Sequence, residues 1–234
     1  MAEIINELTG RVRGKVGNLV YKITNGKTSL SALSTSHNVD NSPNAIKRKN
    51  RFRLTVKFAQ AVNKLLQLKY LWKTVVVNAN DEHKSAFVKI FKKNYPNISD
   101  TALNNLIYLI PTFGFGATST DITLTDALIT VDLAPIGTGQ GIDLLVEQNA
   151  QLACVLFNHT PVVGDASLAP FEFIWKMSDV VTLSLTNPMS FSFDLEGDKQ
   201  AIYNAYTVRK AYFALITLDA DGVPVRFSAT FHSV

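Results

Sequence analysis

The sequence predicts an α+β fold: an N-terminal β-hairpin arm and helices followed by an antiparallel immunoglobulin-like β-sandwich. Three observations predict it. An alternating stretch runs into Asn25-Gly26, apolar residues recur at helical spacing between Leu54 and Trp72, and the texture changes after Pro111. Beyond that proline lysine almost vanishes, and short Thr, Val and Phe runs alternate with turn residues. The expected division is a basic ribbon arm over 1–40, a helical segment over 41–111 and a sandwich over 112–234. At 234 residues and 47% hydrophobic, the chain can bury a sizeable core.

The stretch "KVGNLVYKI" (15–23) alternates like one strand, with Leu19, Tyr21 and Ile23 on one face. Asn25-Gly26 is the residue pair a type I′ turn selects, because both central residues need positive φ, so Lys27–Leu33 is expected to return as the second strand. A lone two-stranded ribbon is marginal in water and must lie on something.

Ser42 and Pro43 read as an N-cap and first helical residue. Leu54, Phe58, Ala61, Leu65, Leu68 and Trp72 then form one apolar stripe, opposite Lys49, Arg53, Lys57 and Lys64, on a helix of about seven turns. A second helix is expected from about Asn80 or Asp81 to Tyr95-Pro96, burying Phe87, Ile90 and Phe91 and displaying Lys84, Lys89, Lys92 and Lys93. A third, short one is expected within 99–108. Strands are expected near 121–132, 142–147, 151–157, 171–176, 180–185, 189–194, 205–218 and 223–231, the last two joined by the turn "DADG". Immunoglobulin-like here means shape only, because the Cys…Trp…Cys core is absent.

Charge is unevenly distributed. Residues 1–96 hold 18 Lys and Arg against 5 Asp and Glu, a net of +13; residues 97–234 hold 5 against 14, a net of −9. Such asymmetry suits an anionic partner for the front half: nucleic acid, a membrane surface or the acidic half of another copy. The lone cysteine, Cys154, sits in the apolar run "QLACVLF" and reads as a buried hydrophobe. The start "MAEIINELTG" lacks a secretory pattern, and no run of about 18 apolar residues is present, so the expectation is a protein made in a cytoplasm with no membrane partner.

Three stretches carry a resemblance: Gly14-Lys15-Val16-Gly17-Asn18-Leu19-Val20 with the later Gly26-Lys27, "RFRLTVKFAQAVNKLL" (51–66) and "YFALITLDADGVPVRFSATF" (212–231). Together they resemble a protein family of Bacteroidetes and their bacteriophages, marked by a G-K-x-G-N-x-V ribbon. The chain departs from the family pattern after Lys27, where Thr28-Ser29 replaces a Val-Arg pair. The resemblance implies no enzymatic activity and points to a virion structural protein, assembled in a host bacterium.

Motifs for chemistry are sparse. "GTGQG" lacks the third glycine of a dinucleotide fingerprint, since Ile142 stands there, and reads as a loop. His37, His83, His159 and His232 lie in separate segments, and the acids Asp194/Glu196/Asp198 and Asp219/Asp221 fall at turns. No catalytic, metal or cofactor residue is nominated, and the expectation is not an enzyme. Two interaction surfaces are nominated. One is the ribbon arm, with Arg11, Arg13, Lys15, Gly17, Tyr21, Lys22 and Lys27. The other is the helix face of Lys47, Arg48, Lys49, Arg51, Arg53 and Lys57, an interface or a nucleic-acid contact. A charge run is usually a solvated face; this one stands out because no acids are interleaved to make i,i+4 pairs. The expected partners are other copies in a homo-oligomer and neighbouring virion proteins, with nucleic acid as the alternative.

Overall fold

The computed structural model describes residues 3–6, 11–16, 19–24, 27–32, 40–75, 83–162 and 168–233. The chain divides into two compact units, 1–45 and 46–234.

The first unit holds a four-stranded antiparallel sheet in chain order: β1 (Glu3–Asn6), β2 (Arg11–Val16), β3 (Leu19–Thr24) and β4 (Lys27–Ala32). The expected single strand over 15–23 is instead two, because Val16 pairs with Leu19, leaving only Gly17-Asn18 between them. Thr24 likewise pairs with Lys27. Gly17 and the Asn25-Gly26 turn lie outside the described residues. Ser42 caps the first helix as expected, its Oγ accepting from the Ala45 amide at 3.3 Å.

The second unit has three layers. α1 (Pro43–Lys64), α2 (Leu66–Thr74) and α3 (Ala86–Asn94) form the first. The second is a six-stranded sheet ordered β12 (Pro224–Phe227), β11 (Tyr206–Leu218), β7 (Asn149–Pro161) and β8 (Phe171–Met177), with β9 (Val181–Thr182) on β7 and β13 (Phe231–His232) on β11. The third is a sheet of β10 (Met189–Asp194), β6 (Leu128–Leu133) and β5 (Ser119–Leu124), joined by α4 (Asp198–Asn204). The pairings between these named strands are antiparallel.

Side-chain alternation explains the layering. Ala153, Val155 and Phe157 of β7, with Tyr212, Ala214 and Ile216 of β11, face the helices; the intervening Leu152, Cys154, Leu156, Ala211, Phe213 and Leu215 face the small sheet. A strand buried on both sides reads as a continuous apolar run, which is why "QLACVLF" and "AYFALITL" lack a polar face. The helices therefore share a core with the six-stranded sheet, where the sequence reading separates 41–111 from 112–234.

All six stripe residues from Leu54 to Trp72 are buried. The seven-turn helix, however, is two: Leu65 is extended (φ −79°, ψ 105°), with no proline or glycine marking the break. α3 begins at Ser85, whose side chain accepts from the Val88 amide. Lys89, expected at the surface, is buried; its Nζ donates to the Lys73 and Val75 carbonyls at 3.1 and 2.9 Å, closing the C-terminus of α2.

The expected helix within 99–108 is absent. Asn97 donates to the Leu106 carbonyl, Asn104 accepts from the Leu106 amide and Ser99 from the Ala102 amide, so short polar side chains take the backbone partners a helix would need. Asn94 clamps this segment through the Tyr108 backbone, and the Tyr212 hydroxyl donates to the Leu103 and Asn104 carbonyls. Burial raises the Tyr212 phenol well above its ordinary value.

Four expected strands change. The 121–132 stretch is the β5–β6 hairpin, turned where Thr125 bonds the Leu128 backbone. Over 142–147 there is a turn, because Asp143 accepts from the Leu145, Val146 and Glu147 amides. Only Val181–Thr182 pairs within 180–185. Finally, 223–231 splits into β12 and β13 at Ser228, whose Oγ takes the Leu215 amide while Phe115 bridges alongside. α4 is additional; of the three acids expected at a turn there, only Asp198 lies in it.

Gly114 permits that last approach. A Cβ there would stand 2.1 Å from the Phe227 carbonyl oxygen, against backbone that cannot swing aside. Gly114→Ala is expected to lower unfolding stability by about 3 kcal/mol in urea titration. Cys154 is enclosed in β7, and burial pushes its thiol far up. A chromogenic thiol reagent should leave the native protein unlabelled and titrate one group in denaturant; native labelling would contradict this burial.

Candidate interaction surface

The helical layer is acid-free among its described residues. Residues 43–75 and 83–97 contain 13 Lys and Arg and no Asp or Glu. Beyond the six-stranded sheet the sign reverses: residues 119–133 and 189–204, the small sheet and α4, contain six acids and one lysine. The sequence asymmetry thus becomes opposite charge on two sides of one body.

The nominated helix residues divide. Lys47, Arg48 and Lys49 are exposed on the first turns of α1. Arg51 is used inside the fold: Nε and Nη2 donate to the Tyr95 carbonyl at 3.2 and 2.7 Å, and the guanidinium lies 4.2 Å from the Tyr95 ring centre. Arg53 stands 5.7 Å from the centre of the Phe171 ring. Lys57 pairs with Glu172 of β8 at 3.4 Å. Arg51 and Lys57 tie α1 to its neighbours, while Arg53 stays exposed with Lys47, Arg48 and Lys49, so the outward part of the cluster is narrower than expected. The missing signal was long-range, since Tyr95 and Glu172 are distant in sequence. Of the arm residues, Arg11, Arg13 and Lys15 lie on β2, Tyr21 and Lys22 on β3 and Lys27 on β4.

A cavity of about 520 Å³ at the α2–α3 corner, lined by Lys69, Lys73, His83 and Lys84 among others, was not nominated. Two lysines four residues apart with no acid to pair them were its legible sign.

The remaining motifs serve the fold. Gly137 and Gly141 take positive φ (82° and 68°) around a short 3-10 turn, and Gln140 beside them accepts from the Gly116 amide. Asp219 Oδ1 accepts from the Asp221 and Val223 amides in the β11–β12 turn. His159 stacks on Phe157 at 4.8 Å, and burial lowers its pKa. Among the described residues no three His, Cys, Asp or Glu side chains gather as metal ligands, and no helix is long and apolar enough to cross a membrane.

No family model matches the chain, and no curated protein does. Among solved structures, the chain is similar to MtrC from Shewanella baltica OS185, at 12% identity and a TM-score of 0.28, over 50% of this chain and 21% of that one. The chain thus spans about a fifth of that protein.

Proposed function

We propose that this protein is a non-enzymatic assembly subunit, a bacteriophage virion component of the capsid, neck or tail-ring kind, whose copies dock through faces of opposite charge. The body, an immunoglobulin-like sandwich with helices on one side, is the block, and the basic N-terminal arm reaches onto a neighbour. One observation carries the reading: a cationic helical layer, acid-free among its described residues, and an acidic small-sheet layer lie on opposite sides of the same sheet. Complementary faces on one body associate head to tail, and such contacts close into rings when the rotation permits.

The test is oligomeric mass by light scattering and electron microscopy, for the full chain and for a chain lacking residues 1–40. Rings or higher oligomers at low salt that dissociate as salt rises, and are weakened by the truncation, are expected. A full chain that stays monomeric at high concentration and low salt would end the proposal.

The cationic helical layer favours a second reading, a nucleic-acid-binding face using Lys47, Arg48 and Lys49. Affinity for duplex DNA would then fall with log salt, with a slope of about −0.9 per phosphate neutralised. Absence of binding at low salt removes it.

A further inference from the structure

The α2–α3 cavity brings cationic side chains of α2 and of the segment entering α3 to one recess. Lys69 and Lys73 sit one turn apart on α2, both exposed, and the described polar lining continues with Asn63, His83, Lys84 and Ser85. Like charges at this spacing destabilise a helix unless something anionic lies between them. Behind them the buried Lys89 ammonium adds a further charge at the Lys73 carbonyl. The opposite wall is the first turn of α3, where Ala86 and Phe87 line the cavity and the helix presents the positive end of its dipole. Asp81 and Glu82 lie outside the described residues.

We propose that this cavity binds the phosphate group of a small phosphorylated molecule. Lys69 and Lys73 hold two of its oxygens, the α3 amides take a third, and the Phe87 side accommodates the organic remainder. Phosphate suits the site better than carboxylate because it brings about −1.5 to −2 charges and several acceptor oxygens to one point, matching donors that converge from two helices. Convergence on a single recess also favours a small molecule over a polymer backbone, which needs a continuous track of cations. Neither self-association nor residues 1–40 enters the proposal, so it stands or falls apart from the assembly reading.

The experiment titrates pyrophosphate into the full chain by calorimetry at low salt, for the wild type, for Lys69→Gln/Lys73→Gln and for Lys47→Gln. One saturable site is expected, weakened at least tenfold in the double variant and changed less than twofold in Lys47→Gln. Amide shifts of Ala86 and Phe87 on addition of pyrophosphate to the wild type give a second readout, unaffected if the double variant folds poorly. No saturable binding overturns the proposal. So does equal weakening by Lys47→Gln, which would mean diffuse attraction, and so does tight binding of duplex DNA without pyrophosphate binding.

Discussion

Trp72→Ala is expected to cost about 4–5 kcal/mol, enough to unfold a marginal domain. Trp72 is fully buried at the meeting point of α2 and the 98–110 segment, and its indole Nε1 donates to the Leu109 carbonyl at 2.7 Å. Truncation removes a large apolar volume, which costs about 3–5 kcal/mol for an aromatic, and strands a buried carbonyl as well. Trp72→Phe keeps much of the volume and loses the bond, so about 2 kcal/mol is expected. Urea midpoints for both variants measure the difference. Equal losses would show that the buried volume contributes nothing beyond the hydrogen bond.

Arg226→Ala is expected to destabilise by about 3 kcal/mol and Glu147→Gln by about half of that. The Glu147 carboxylate is 1% exposed, and accepts from Arg226 Nε at 3.0 Å, Thr217 Oγ1 at 2.5 Å and the Asp143 amide at 3.3 Å. Arg226 is 46% exposed and keeps much of its hydration. Removing the arginine leaves a charge uncompensated in the interior, the costlier side of a broken pair, while the half-exposed partner keeps the loss at the lower end of the range for buried pairs. A glutamine at 147 still accepts from Thr217. The double variant should lose little more than Glu147→Gln alone in a double-mutant cycle; simple additivity would contradict this account.

Elements whose burial is written in their own periodicity were legible in the sequence. The stripe from Leu54 to Trp72 is buried in full, and β10 and β11 fall within one residue of expectation. Elements decided by side chains bonding distant or local backbone were not. Asn94, Asn97 and Asn104 convert an expected helix into a pinned loop, and Asp143 turns an expected strand. The charge asymmetry was readable as a count, but its arrangement was not. Arg51 and Lys57 look identical in sequence to their exposed neighbours, and only the fold brings Tyr95 and Glu172 to them.

Because β7 and β11 are covered on both sides, neither flank is a detachable accessory. A fragment beginning after the helices would bare Ala153, Val155, Phe157, Ala214 and Ile216 together, an oily plane that invites precipitation rather than a smaller working module. Dissection of this protein by truncation is thus confined to its leading 40 or so residues, and any role assigned to the rear strands must be probed by point changes in the intact chain.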